Sequence, residues 1–117
     1  MMVNYCLALP ILPGGLELLK RFVQENGGHT QEHDEFYKSA GISREHLWVQ
    51  HSPPGTGAPD LAIVSMETDN PAQTLIEFAT SNHSWAIKFR EFAKKTYGID
   101  FAGPPPPLNE SIVDWQQ

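Results

Sequence analysis

The chain has 117 residues and a formal net charge of −6, with 40% apolar and 19% charged residues. That is enough apolar surface for one globular core but too short a chain for two, and too apolar a mixture for wholesale disorder. The eight Lys and Arg are scattered except between Lys88 and Lys95, where Glu91 interrupts them, so the concentrated basic face that nucleic-acid binding needs is missing. No apolar run approaches the ~20 residues of a membrane span, and the N-terminus carries no basic region followed by a signal-like core. Cys6 is the single cysteine and has no partner for an internal disulfide. A reducing, cytoplasmic setting is the expectation, with Cys6 as inert core filler.

In chain order, Val3 to Leu9 (VNYCLAL) is rich in strand formers, and Pro10, Pro13, Gly14 and Gly15 then break it. Leu16, Leu19 and Val23 recur at helical spacing, with Leu18 and Phe22 widening the stripe, and Asn26-Gly27-Gly28 supplies the stop. A shorter helix follows, with Thr30 as its N-cap, acids in its first turn and Gly41 as its terminator. The segments around Leu47-Trp48-Val49 and from Leu61 to Met66 read as strands. The connector from Pro53 to Pro59 is too short for a crossover helix, so these two strands form an antiparallel hairpin. Asn70 then caps a helix whose first residue is Pro71. After the interruption SNHSW, Trp85, Phe89 and Phe92 mark the apolar face of a last helix that ends at Gly98.

Strand, helices, strand, strand, helices is the α+β order of a ferredoxin-like fold lacking its last strand, with the helices on one face of an antiparallel sheet. Residues 101–117 are assigned that role within a single domain spanning 1–117. Pro104 to Pro107 form a stiff extended spacer, and ESIVDW after Leu108 has strand-like content, so the end of the chain is expected to be a proline-linked strand or clasp. An irregularly packed tail and a ligand for a proline-reading domain are the alternatives. Tyr5, Leu7, Leu9, Leu47, Val49, Leu61 and Ile63 alternate with Cys6, Ala8, Trp48, Ala62, Val64 and Met66. Both sheet faces are therefore expected to be apolar, and the face without helices calls for a second copy.

The exit ALPILPGG, the hairpin LWVQHS…LAIVSMET, the run DNPAQTLIEFATS leading to WAIKFREFAKKTYGIDF and the proline-linked end together resemble the dimeric α+β barrel superfamily. Its members include antibiotic-biosynthesis-type monooxygenases. The resemblance spans nearly the whole chain and implies a homodimer in which two sheets pack face to face. It also implies a cavity between sheet and helices for an apolar or aromatic molecule, and as an alternative activity, cofactor-independent monooxygenation. A structural dimer with a filled core is the third possibility. The chain departs from the simple pattern by splitting each helical arm in two.

Chemistry has few places to reside. His46, Trp48 and Gln50 share one side of a period-two strand. If they face the helices, they bring hydrogen-bonding groups into an apolar cavity; the structural alternative makes Trp48 a core filler and His46 a strand-end surface residue. His83, beside Trp85 at a helix junction, is a candidate general base, with helix capping as the structural alternative. His46 and His83 are thus the candidate catalytic residues, and Trp48, Gln50, Tyr5, Tyr37 and Trp85 the candidate ligand-binding ones. His29 and His33 have the i, i+4 spacing of a ligand pair, but no third ligand is evident and no metal site is assigned. No serine triad order, phosphate loop or cysteine metal motif is present, and no cofactor is expected.

Overall fold

The computed structural model describes residues 2–117. Its elements are β1 (Val3–Pro10), α1 (Gly15–Asn26), α2 (Gln31–Ser39), β2 (Ile42–Gln50), β3 (Leu61–Thr68), α3 (Pro71–Thr80) and α4 (Ser84–Tyr97). The three strands form one antiparallel sheet in the order β1-β3-β2. Helix boundaries follow side-chain chemistry. Thr30 Oγ1 accepts from the His33 N–H at 3.4 Å, Asn70 Oδ1 accepts from the Gln73 N–H at 3.2 Å, and Pro71 opens α3, where its missing N–H costs nothing. Gly98 ends α4 at φ 70° and donates its N–H to the Lys94 carbonyl at 3.0 Å.

One feature of β2 decides what faces the core. Ile42 pairs with Thr68 and Arg44 with Glu67, so Ser43 is an extra residue, a β-bulge. Without it, Ile42, Arg44, His46, Trp48 and Gln50 would share a face. With it, Ile42 stays on the helix side and Glu45, Leu47 and Val49 follow it there. His46, Trp48 and Gln50 turn outward, a correction to their placement in the cavity. The helix side of the sheet is made by Tyr5, Leu7 and Leu9 on β1, Ala62, Val64 and Met66 on β3, and Leu47 and Val49 on β2. Leu61 and Ile63 belong with Ala8 and Trp48 on the open face. There they share space with Asn4, Ser65, Glu67, Arg44 and His46, so the open face is apolar over one half only.

The core has two contiguous parts. One centres on Tyr5, Phe36, Met66, Phe78 and Trp85, and the other on Leu9, Ile11, Leu19, Ala93, Tyr97 and Phe101. Trp85 holds the first together: its Nε1–H donates to the Asn26 carbonyl at 2.6 Å, closing the C-terminus of α1, while its ring stacks on Phe36 and Phe89, each at 5.4 Å. Arg90 closes the end of α3 in the same way, donating to the Phe78 and Ser81 carbonyls at 2.8 Å. α1 approaches α4 closely at Gly15, where a Cβ would lie 2.9 Å from the Thr96 carbonyl oxygen, so only glycine fits.

Residues 102–117 contain no strand, and the sheet lacks the expected fourth member. The segment nevertheless reaches the free edge of β1. The Asn109 side chain accepts from the Cys6 N–H at 2.8 Å and donates to the Cys6 carbonyl at 3.0 Å, as a neighbouring strand's backbone would. Proline explains the substitution: residues 104–107 have no N–H to give to a ladder, so a side-chain amide takes over at one position. Beyond it Ile112, Val113 and Trp115 are 80%, 79% and 76% exposed.

A buried relay ties the two helical arms to the sheet. The Asn70 N–H donates to Thr68 Oγ1 at 3.1 Å, Thr68 Oγ1 lies 2.6 Å from Thr74 Oγ1, and Thr74 Oγ1 donates to the Ala40 carbonyl at 2.8 Å. Thr74→Val keeps the shape but leaves the Thr68 O–H without an acceptor and the Ala40 carbonyl without its donor, both away from water. We expect it to lower the free energy of unfolding by about 1–3 kcal/mol in urea denaturation, whereas Thr80→Val, on the exposed side of the same helix, should cost less than about 0.5 kcal/mol.

Candidate functional site

A cavity of about 250 Å³ lies between the helix side of the sheet and the helices. Leu7, Leu9, Leu47, Val64 and Met66 form its floor, and rings from α1, α3 and α4, namely Phe22, Phe78, Trp85, Phe89, Phe92 and Tyr97, form its roof. The rings meet largely edge to face, at 5.8 Å between Phe22 and Trp85 and 5.2 Å between Phe78 and Phe89. Such rigid plates hold the helices off the sheet instead of collapsing onto it. The volume is below the usual range for drug-sized ligands but above the ~150 Å³ that suffices for benzene in an apolar protein cavity. One ring with a short substituent fits.

Polar groups gather at one end, next to the α1–α2 turn. The Tyr37 hydroxyl donates to Glu45 Oε2 at 2.6 Å. The His33 imidazole stacks on the Tyr37 ring at 3.8 Å and turns Nδ1 towards Asp34 Oδ1 at 2.9 Å. Tyr97 also lines the cavity. Burial raises the Glu45 carboxyl above its ordinary range against the lowering effect of the Tyr37 hydrogen bond and the nearby His33. The residue as a whole is exposed, because β2 is an edge strand, but its carboxyl end is crowded among cavity-lining groups. Burial, and then the Glu45 charge, raise the Tyr37 hydroxyl well above the usual phenol value and push Tyr97 up to about 12. Two phenols and a carboxyl group therefore sense one another inside an aromatic chamber.

The residues singled out from the sequence divide between this chamber and the rest of the molecule. Tyr37 and Trp85 line it. Tyr5 is buried against its margin but does not line it, and its hydroxyl makes only a long 3.5 Å contact with the Pro107 carbonyl. His46 and Trp48 stack on each other at 3.8 Å over a shallow depression on the open face, and the exposed Gln50 donates to the His51 carbonyl at 3.3 Å. His83 is an N-cap: its Nδ1 accepts from the Trp85 N–H at 3.1 Å, and its Nε2 points towards Glu35 at 3.7 Å. That leaves no ring nitrogen directed at the cavity. His29 precedes α2 with a left-handed backbone at φ 79°, so it does not share a helical face with His33. Among the described residues no group of three or more His, Cys, Asp or Glu could hold a metal ion, and no helix is long and apolar enough to cross a membrane. Cys6 is exposed on the open face, not buried in the core.

Glu45 and Tyr97 were not anticipated as site residues. Glu45 stands between Arg44 and His46 and looks like strand-surface polarity. The available signal was its alternation with Leu47 and Val49, which places it on the apolar side. No family model, curated protein or solved structure matches the chain.

The raised Glu45 carboxyl carries a stability consequence. Its folded value lies above the unfolded one, so the fold disfavours the ionised form. No penalty exists below the ordinary value of 4.5, where both states are protonated; it grows as pH rises through the window between the two values and is complete above the folded one. Glu45→Gln preserves an acceptor for Tyr37 and removes the charge. Denaturation curves are expected to show this variant more stable than the parent at neutral pH, with the difference closing below the ordinary carboxyl range; a variant less stable at neutral pH would contradict this account.

Proposed function

We propose that the protein is a homodimer that binds a small, largely apolar or aromatic molecule in the chamber between its sheet and helices. The observation carrying this reading is the chamber itself: apolar aromatic walls with a few polar groups converging at one end, the composition of a small-molecule pocket. Binding is favoured over turnover because neither His46 nor His83 faces the chamber. The element order up to the third strand supports the dimeric α+β barrel superfamily as the family proposal. Small aromatic compounds such as toluene and indole are expected to raise the melting temperature, by an amount equivalent to ~2.7 kcal/mol at a hundredfold excess over Kd, and to appear as one-to-one adducts in native mass spectrometry. Val64→Phe, which fills the floor, should abolish both effects while the variant remains folded. Absence of any adduct with the parent protein would end the proposal.

Self-association rests on a different part of the surface. The open face carries Ala8, Leu61, Ile63 and Trp48, the last 47% exposed. The end of the chain, fastened by Asn109 to the β1 edge, presents Ile112, Val113 and Trp115 with no contact of their own to cover them. Both are apolar, both belong to one molecule, and a two-fold axis buries both at once. Sedimentation velocity is expected to show a dimer. Truncation after Pro107 or Trp48→Glu should shift it towards monomer without loss of helical signal. A parent protein that sediments as a monomer would overturn the dimer.

A further inference from the structure

We propose that the chamber selects a small primary amine: an apolar or aromatic body fills the aromatic space and its ammonium group is held by Glu45. This rests on the reading above that the chamber takes a ligand, and it adds the chemistry of the ligand's head.

The argument begins with charge. No lysine or arginine lines the chamber; Glu45 is its one carboxylate, and His33, the only other ionisable group there besides the tyrosines, directs Nδ1 to Asp34. Among the described residues Glu45 enters no ion pair. Lys38 and Arg44 line the open vestibule that Glu45, Tyr37 and His33 share with Asp34, but neither cation reaches the Glu45 carboxylate as an ion pair. The Glu45 carboxylate is crowded by chamber-lining groups although the residue as a whole is exposed, and a cation placed beside it offsets the loss of hydration. The carboxylate is also only half used: Oε2 receives the Tyr37 hydroxyl at 2.6 Å, and Oε1 receives no hydrogen bond from the described residues. Tyr97, almost wholly buried, likewise has a hydroxyl bonded to no described residue. An ammonium group has three donors, which suits one open carboxylate oxygen and one open phenol oxygen.

The walls favour the same head group. The faces of Trp85 are covered by Phe36 and Phe89, but an ammonium desolvated beside Tyr37 or Tyr97, the phenol rings that line the chamber, gains cation–π attraction that an alcohol does not. An anionic head is opposed by Glu45 and finds no cationic partner in the chamber. Size sets the body: about 250 Å³ admits one ring and a two- or three-atom arm.

Four near-isosteric probes test this by calorimetric titration at neutral pH: 2-phenylethylamine, 2-phenylethanol, ethylbenzene and phenylacetate. The amine is expected to bind at least about tenfold tighter than the alcohol, a difference of about 1.4 kcal/mol, and phenylacetate to bind least. Glu45→Gln should erase the amine's advantage while leaving alcohol binding in place, and Tyr97→Phe should reduce the advantage in part. If amine and alcohol bind alike, if the carboxylate binds best, or if the advantage survives in Glu45→Gln, the amine assignment is wrong and the apolar pocket stands. If none of the four binds, and toluene and indole fail as well, both readings fall together.

Discussion

The indole of Trp85 is the contact on which the rest of the architecture depends. Its N–H closes the last turn of α1, its ring lies between Phe36 of α2 and Phe89 of α4, and Phe78 of α3 meets its edge. One side chain thus fixes four helices relative to each other before the sheet is considered. A smaller residue here would remove a buried aromatic, a loss of about 3–5 kcal/mol, and would also leave the Asn26 carbonyl unpaired. The chamber survives because this ring and its neighbours pack stacked and edge to face as a rigid roof. A roof of leucines, with freer rotamers, would settle onto Val64 and Leu47.

The sheet contributes through a single inserted residue. Ser43 changes the parity of β2 and so decides that Glu45, Leu47 and Val49 face the helices while His46, Trp48 and Gln50 face outward. One strand therefore serves two surfaces: its inner row gives the chamber a floor and a carboxylate, and its outer row gives the open face an exposed tryptophan. The two proposed functions, holding a ligand and pairing with a second copy, are linked through this register. Deleting the bulge residue would exchange the rows, placing Arg44 and His46 against the aromatic roof.

Much of the fold was legible in the sequence because its boundaries are written in local chemistry. Asn70-Pro71, Thr30 and Gly98 mark helix ends through hydrogen bonds and backbone angles that need no tertiary partner, and the hairpin followed from a connector too short to cross over. What escaped notice depends on contacts distant in sequence. A bulge carries no residue signature at Ser43, and it turns His46, Trp48 and Gln50 away from the cavity for which they were candidates. β3 was split in the same way: Leu61 and Ile63 lie across from the residues with which they had been grouped, because the phase of an alternation is set by its partner strand. Arg90 as a cap on α3 and Asn109 as a surrogate strand are side chains acting for absent backbone donors, a role that composition does not reveal. Trp85 was found because large aromatics at helical spacing must be buried, while Tyr37 was named only as a tyrosine able to line a cavity. His83 was offered as a general base or a helix cap, and its ring nitrogen serves the backbone of α4 as the cap.

The position of Glu45 is the strongest argument that the chamber is more than a packing gap. A void left by imperfect packing is lined by whatever apolar atoms surround it, and a fold optimised only for stability would place leucine or glutamine at this point of β2. Here the strand instead turns a carboxylate to the apolar side, where burial raises its proton affinity and only one of its oxygens is satisfied by Tyr37. The surrounding polar groups are arranged around that carboxylate: Tyr37 is braced by the stacked ring of His33, and His33 is held in turn by Asp34. A carboxylate crowded and supported in this way is the group on which the proposed ligand site turns. Because the support comes from consecutive turns of α2 and the charge from β2, the polar end is assembled only when the first helical arm is docked on the sheet, which makes the site's geometry a direct readout of the fold that Trp85 secures.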